Sequence, residues 1–317
     1  MNTPHVTKQL TEKLAANIGR VLFGKEPVIK TFLCAFFSGG HVLLEDVPGT
    51  GKTSLVRALA DSFGGDYKRV QFTPDLLPSD ITGINYYRQH TGDFTLRKGP
   101  VFTNLFLADE INRATPRTQS ALLECMEERQ VTIDGETMSL PDIFMVMATM
   151  NPLEFQGTFP LPEAQVDRFM MKLHLGYPDI AGETRIVDKI CAGAKGDTVE
   201  TVATLEDVRA ARAEIDAVHI SPAVADYMVR LIRATRDHEK IKMGVSPRGV
   251  VAMTRATRAW AAMEGRDHVL PDDVKALAIP VLSHRLLTRT GSSLQLSQSS
   301  EALIEYLLTK VPVVLDK

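Results

Sequence analysis

A glycine-rich segment at residues 46–53 has the residue types of a loop that binds phosphate groups. An apolar, strand-like run precedes it and a helical pattern follows, so its backbone N–H groups and the helix N-terminus would face an anion. Lys52 is predicted to reach the β- and γ-phosphates of a nucleoside triphosphate, and the Thr53 hydroxyl to hold Mg²⁺. The residues predicted to contact the nucleotide are Gly49, Thr50, Gly51, Lys52, Thr53 and Ser54.

One position departs from the general phosphate-loop pattern, which has a glycine five residues before Gly51. This chain has Asp46 there. Asp adopts turn and left-handed conformations more readily than most residues, so the loop is still expected to form. The alternative is a glycine-rich turn that only caps a helix, and the strand before it and the helix after it disfavour that interpretation.

Two acids follow a second apolar run and suit the chemistry of phosphate hydrolysis. Asp109 is predicted to orient Mg²⁺ through its water, and Glu110 to polarise the attacking water. Acids at a strand end are often only solvated turn residues, but their combination with the phosphate loop favours the catalytic role. Asn151 follows a third apolar run and is predicted to bridge the γ-phosphate and the attacking water, although an Asn-Pro pair alone indicates a turn.

The elements that must position these residues form two parts. Residues 1–177 alternate strand and helix patterns, with strands predicted at 41–45, 68–72, 105–109 and 143–149, a helix at 115–129 and hairpins at 85–97 and 131–140. Near-continuous apolar strands indicate a parallel sheet covered on both faces. From residue 178 the pattern predicts helices only, with starts at Thr204, Ser221, Ser246 and Leu270. The predicted fold is therefore an α/β nucleotide-binding domain at 1–177, followed by a smaller all-helical lid domain at 178–317.

Composition limits the classes of partner. The 317 residues carry a formal net charge of −3, and no run of basic residues favours nucleic acid. No apolar stretch is long enough to span a membrane and the N-terminus lacks a secretory signal, which predicts a cytoplasmic protein. Three widely spaced cysteines without a CxxC pair are typical of reduced thiols.

The order of these elements resembles the AAA+ superfamily of ATPases, and four longer strings resemble its MoxR family. They are LLEDVPGTGKT at 43–53, VQFTPDLLPSDITG at 70–83, LADEINRATPRTQSALLECMEE at 107–128 and LPEAQVDRF at 161–169. The likeness covers most of residues 20–290, and the family shares the Asp at the position of Asp46. It implies an ATPase that uses ATP and Mg²⁺, forms a homo-oligomeric ring of hexamer type, and acts as a chaperone on partner proteins.

The resemblance also implies further site residues. Arg168 matches the arginine finger that AAA+ proteins present to the nucleotide of a neighbouring subunit; an exposed Arg or an intramolecular ion pair is the alternative, and Arg113 and Arg117 are rival candidates. Arg248, at the start of a lid helix, matches the sensor 2 arginine that contacts the phosphates from the helical domain. Residues 21–24 resemble the segment that packs against adenine, and the two hairpins resemble inserts that face the ring pore.

Several functions remain open at this stage. The leading hypothesis is a MoxR-type chaperone that activates or assembles partners, often proteins with a von Willebrand factor A domain, in the maturation of metalloenzymes or multisubunit complexes. A magnesium-chelatase-type motor subunit is the nearest alternative. A nucleic-acid motor or loader is disfavoured by the charge, and a GTPase-type switch by the absence of an Asn-Lys-x-Asp motif.

Overall fold

A computed structural model describes residues 5–90, 92–151, 157–191, 199–289 and 293–313. Its strands are β1 (Val42–Glu45), β2 (Tyr67–Gln71), β3 (Gly83–Arg88), β4 (Asp93–Lys98), β5 (Leu105–Asp109), β6 (Gln130–Ile133), β7 (Glu136–Ser139), β8 (Met145–Met150), β9 (Met171–Leu173), β10 (Ile241–Met243) and β11 (Leu287–Thr288). Its α-helices are α1 (Val6–Gly19), α2 (Glu26–Phe37), α3 (Lys52–Phe63), α4 (Pro78–Thr82), α5 (Pro116–Glu128), α6 (Glu163–Val166), α7 (Ile180–Cys191), α8 (Leu205–Asp216), α9 (Pro222–Asp237), α10 (Pro247–Met263), α11 (Pro271–Leu282) and α12 (Ser293–Lys310). Short 3₁₀ turns cover Ile111–Arg113 and Ser283–Arg285.

Five of these strands form one parallel sheet in the order β2-β5-β8-β1-β9. Alternate residues of β5 enter different cores: Leu105 and Leu107 pack on one side of the sheet, and Phe106 and Ala108 on the other. Burial on both faces explains why this strand reads as a continuous apolar run. The predicted α/β fold is confirmed, and so are its four strands to within two residues.

The helical part also follows the sequence signals closely. Thr204 and Asp207 form a reciprocal capping box, and the Ser221 and Ser246 side chains cap α9 and α10. These hydroxyls satisfy backbone N–H groups that the first helical turn leaves without partners. The two predicted hairpins form as β3–β4 and β6–β7.

The sequence analysis missed one strand of the sheet, and one expectation about the helical part was wrong. The parallel sheet has a fifth strand, β9, which pairs with β1 at the sheet edge. The region after residue 178 is not purely helical, because β10 and β11 form a short antiparallel ladder. Strands of two or three residues are too short to show a periodicity of their own.

The first two helices connect the sheet to the helical part. Helix α1 packs on α8 and α10, and α2 also packs on α10, so one apolar core runs from the sheet into the lid. The division near residue 177 therefore stays a prediction. None of the helices in the described ranges combines the length and apolar character needed to cross a bilayer.

Candidate functional site

The strand order brings Asp109, Glu110 and Asn151 to the carboxyl ends of the strands, where the phosphate loop also lies. Strand β8 lies between β1 and β5, and all three run parallel. Their carboxyl ends therefore place Asn151 between the phosphate loop and the acids Asp109 and Glu110. The Asp46 backbone N–H donates to the Met150 carbonyl at 3.2 Å, which fixes the start of the loop to the end of β8. Asn151 itself is 7% exposed.

The phosphate loop has the backbone of an anion cradle. Gly49 and Gly51 have φ angles of 87° and 94°, a region that favours glycine, and Gly51 is the N-cap of the twelve-residue helix α3. A Cβ at Gly51 would lie 2.7 Å from a Leu22 methyl group, so Leu22 would have to shift to admit a side chain there. Thr53 and Ser54 occupy the first turn of α3. The Lys52 ammonium donates to the Asp46 carbonyl at 2.9 Å and points back over the loop.

The Asp46 side chain explains the departure from the general loop pattern. Its carboxylate is buried and accepts hydrogen bonds from the backbone N–H groups of Leu175 at 2.6 Å and Gly176 at 3.0 Å. Leu175 and Gly176 follow β9 and lead into the helical part of the chain. Asp46 is thus an anchor between the phosphate loop and the segment that leaves the sheet, a contact that glycine cannot make.

Asp109 lies at the end of β5 with both carboxylate oxygens engaged. One oxygen accepts from the Thr149 hydroxyl at 2.7 Å, and the other accepts from the Arg69 guanidinium at 2.6 Å. The Thr149 hydroxyl also accepts the backbone N–H of Glu110 at 2.8 Å. These contacts set the direction of the Asp109 carboxylate at the edge where the phosphate loop lies.

Glu110 has an unusual backbone. Its φ of 56° is left-handed, a conformation that costs free energy for a residue with a side chain and that often occurs at functional sites. The carboxylate accepts from the Gln71 side-chain amide at 2.7 Å and pairs with Arg113 at 3.0 Å. The rival arginine finger Arg113 is therefore engaged within its own chain, and Arg117 is exposed at the start of α5.

The residues present fit a nucleoside triphosphate and a magnesium ion. The glycine conformations, the helix N-terminus and the Lys52 ammonium form a cradle for phosphate oxygens. Hydroxyl and carboxylate oxygens, the donors that Thr53 and Asp109 supply, are the ligands that Mg²⁺ prefers. Next to the loop, Leu22 and Phe23 lie in the segment predicted to face adenine, and Leu22 approaches Gly51.

Arg168 and Arg248 lie elsewhere, at the amino ends of the strands, whereas the phosphate loop and the acids lie at the carboxyl ends. Both contact Glu127 at the end of α5; the Arg168–Glu127 distance is 2.9 Å. They line a cavity of about 400 Å³ together with Gly39, Gly40 and His41, which immediately precede β1. The phosphate loop follows the other end of β1, roughly 13 Å away for a four-residue strand. The two arginines therefore form a group separate from the phosphate loop of their own chain.

Several residues of this arrangement carried no assigned role in the sequence. Gln71 and Thr149 hold the two acids, and Glu127 contacts both arginines. Asp167 accepts from Ser246 at 2.8 Å and pairs with Arg285, whose pKa burial lowers. Gln71, Glu127 and Asp167 lie inside the strings that carry the MoxR resemblance. That resemblance was the one sequence feature that could have pointed to these three residues.

Known proteins match this chain along nearly its whole length. The model of the ATPase family associated with various cellular activities (AAA) matches residues 41–171, and that of the AAA lid domain matches residues 233–305. The uncharacterized protein YeaC of Bacillus subtilis is 46% identical over 96% of this chain and 95% of its own length. Chaperone MoxR1 of Mycobacterium tuberculosis is 40% identical over 95% of this chain and 81% of its own.

Two further matches agree with these. Protein MoxR of Paracoccus denitrificans is 32% identical over 94% of each chain. A crystal structure of a proposed ATPase from Cytophaga hutchinsonii aligns with a TM-score of 0.88 and 40% identity, covering 98% of this chain and 96% of that one. Full-length similarity to proteins named MoxR, on a sheet that brings a phosphate loop and two acids to one edge, means that this chain belongs to the MoxR family of AAA+ ATPases and hydrolyses ATP.

Proposed function

We propose that the protein works as a homo-oligomeric ring, of hexamer type, in which each ATP is hydrolysed between two neighbouring subunits. The observation that carries this proposal is the separation of the arginines from the phosphate loop within one chain. A ring in which the Glu127 face of one subunit meets the phosphate-loop edge of the next brings Arg168 and Arg248 to a neighbour's nucleotide. Their guanidinium groups would stabilise charge that develops on the γ-phosphate.

Within each subunit, the other roles follow from the sheet edge. Thr53 and Asp109 would hold Mg²⁺, which when bound neutralises phosphate charge. Glu110, held by Gln71 and Arg113, would orient the attacking water, and Asn151 would bridge that water and the γ-phosphate. Sensor 2 contact by Arg248 to its own chain's phosphates, the sequence-based expectation, has no support in this arrangement, so we assign Arg248 to the neighbouring subunit's nucleotide.

The work done with this ATP is proposed to be the remodelling of a protein partner. The relative from Mycobacterium tuberculosis is named a chaperone. The β3–β4 hairpin exposes Ile84, Tyr86, Tyr87 and Phe94, and the rings of Tyr87 and Phe94 make a tilted contact at 5.4 Å between centroids. Exposed aromatic side chains on a hairpin are suited to contact a protein surface. We propose that the client is a folded protein with a von Willebrand factor A domain, and that the ATPase acts on it in the cytoplasm during the maturation of a metalloenzyme.

A mixing experiment tests the shared site. Arg168→Ala and Glu110→Gln are each expected to be nearly inactive, with Arg168→Ala losing about 10³-fold in turnover while still binding ATP. In an equal, random mixture, about one quarter of the interfaces join an intact Glu110 to a neighbour's intact Arg168. ATP turnover should recover to about that fraction of wild type. Mixing Arg168→Ala with the double variant Arg168→Ala/Glu110→Gln is the control, because no subunit then supplies Arg168.

Two outcomes would contradict the shared site: no recovery in rings shown by mass spectrometry to be mixed, or full activity in a dilute monomer.

The client role has a separate test. Replacing Tyr87 and Phe94 by Ser should leave basal hydrolysis unchanged and reduce its stimulation by a von Willebrand factor A domain partner. Tight, salt-sensitive stimulation by DNA would instead support a nucleic-acid motor.

A further inference from the structure

The two arginines of the proposed shared site converge on one acid. The Arg168 Nη2 lies 2.9 Å from Glu127 Oε2, and the Arg248 Nη2 contacts the other oxygen, Oε1. All three side chains are partly exposed, at 29% for Arg168, 48% for Arg248 and 35% for Glu127. One carboxylate thus bridges two guanidinium groups that come from different parts of the fold, the sheet domain and the lid helix α10.

A second acid, Asp167, connects the backbone segments that carry the same two arginines. Asp167, the neighbour of Arg168, accepts from the Ser246 hydroxyl at 2.8 Å and pairs with Arg285. The Ser246 hydroxyl in turn accepts the backbone N–H of Arg248 at 3.1 Å. The backbones of Arg168 and Arg248 are therefore fixed to each other across the sheet–lid boundary, while Glu127 holds the ends of their side chains.

Two guanidinium groups that contact the same carboxylate are close enough to repel each other unless an anion lies between them. Glu127 is the acid that contacts both among the described residues. Each guanidinium has five N–H donors in a planar fork, and Glu127 contacts only the Nη2 group of each. Both side chains are partly exposed, so further N–H groups of the two guanidinium groups are accessible from outside the chain. The pair consequently retains donors for a further anion as well as a net positive charge.

We propose that Glu127 is a positioning residue that holds Arg168 and Arg248 side by side as one two-armed clamp for the terminal phosphate of a neighbouring subunit's ATP. This inference rests on the shared site proposed above. Glu127 touches neither nucleotide nor magnesium in this scheme; it acts through the two arginines. Its loss lets the guanidinium groups separate, so that transition-state stabilisation falls while ground-state binding, which depends on the phosphate loop of the other subunit, is retained.

The test compares Glu127→Gln, Glu127→Asp and a matched control, Glu128→Gln, which neutralises the adjacent exposed acid on α5. Steady-state kcat and KM for ATP are measured at concentrations where sedimentation shows complete assembly. Glu127→Gln should lower kcat by about 10- to 100-fold with KM within about twofold of wild type. Glu127→Asp keeps the charge on a shorter side chain and should recover part of the loss. Glu128→Gln should match wild type.

A triple variant separates positioning from a purely structural effect. If Glu127 acts through Arg168 and Arg248, adding Glu127→Gln to Arg168→Ala/Arg248→Ala should lower kcat no further than those two substitutions alone, because residues that act as a unit are strongly non-additive. A further loss of tenfold or more overturns the proposal, since Glu127 would then act elsewhere.

The remaining outcomes are also decisive. An unchanged kcat in Glu127→Gln overturns the proposal, and so does a rise in kcat, which would show that Glu127 withholds the arginines instead of aligning them. Failure of Glu127→Gln to assemble overturns it as well, because the residue would then serve the interface. Full activity of Arg168→Ala is a different result: it removes the shared site on which the inference rests.

Discussion

The anchor formed by Asp46 gives a quantitative prediction. Substituting Asp46 by Ala leaves the N–H groups of Leu175 and Gly176 without their acceptor, and Leu175 is only 2% exposed. A hydrogen bond to a charged group contributes about 1.5–3 kcal/mol, and a buried donor left unpaired costs about 1–3 kcal/mol. With one buried and one half-buried donor, Asp46→Ala should lower the free energy of unfolding by about 2–5 kcal/mol.

The informative variant is Asp46→Gly, because glycine is the residue of the general loop pattern. If this position needs only a residue that tolerates turn geometry, Asp46→Gly should be harmless or stabilising. If the carboxylate is the anchor, Asp46→Gly should lose as much stability as Asp46→Ala. Asp46→Asn should lose about half as much, since its amide oxygen accepts from one N–H while its NH₂ group faces the other.

Two measurements check this prediction. Hydrogen exchange of a peptide that covers residues 170–178 reports the two amides directly, and urea unfolding reports the stability of the whole chain. Exchange of this peptide should be at least 10-fold faster in Asp46→Ala and Asp46→Gly. Asp66→Asn, an exposed acid before β2, is the control for charge removal alone. Exchange and urea midpoint both at wild-type values in Asp46→Gly would refute the anchor.

Three other predictions concern single residues. Glu110→Gln should keep MgATP affinity, measured with a fluorescent analogue, and slow hydrolysis by about 10²-fold or more; equal rates would remove Glu110 from the mechanism. Gly51→Ala should weaken nucleotide binding by calorimetry more than Gly49→Ala, because both have positive φ but only the methyl group at Gly51 meets Leu22 at 2.7 Å; the reverse order contradicts the clash. Burial lowers the pKa of His41 from 6.5 to about 4, so its folded form binds fewer protons than the unfolded chain at mildly acidic pH. Stability is therefore full above pH 6.5 and falls towards pH 4, by about 2 kcal/mol at pH 5; urea midpoints of His41→Gln that fall equally with pH would exclude this cause.

The parts of the site that the sequence predicted are those encoded by short segments. A strand, a glycine-rich loop and a helix that starts at Lys52 stand within about twenty residues, so their contacts depend on local geometry. The acids at 109–110 end a strand whose burial is visible as an apolar run. Topology then needs only parallel strands to bring these ends to one edge.

The parts that could not be predicted are contacts between distant segments. The Gln71–Glu110 and Asp167–Arg285 contacts join residues 39 and 118 positions apart, and each partner alone is an ordinary polar residue of its segment. Asp46 gave a signal, its departure from the loop pattern, but the backbone N–H groups that it binds carry no sequence identity. Only the fold specifies that they come from Leu175 and Gly176.

Arg248 shows what a motif leaves undetermined. The Ser-Pro-Arg sequence predicts a helix start with a cation in its first turn, and both are present in α10. An arginine in a first turn opposes the helix dipole and is stabilised by a nearby anion. The sequence does not specify which anion, because this depends on which edge of the sheet the helix approaches. Ser246 meets Asp167 just before β9, at the amino end of the strands, so the anion at hand is Glu127 and the chain's own phosphate loop lies at the other edge. The polarity of a parallel sheet, not the motif, therefore places Arg248 away from the phosphate loop of its own chain, as the proposed shared site requires.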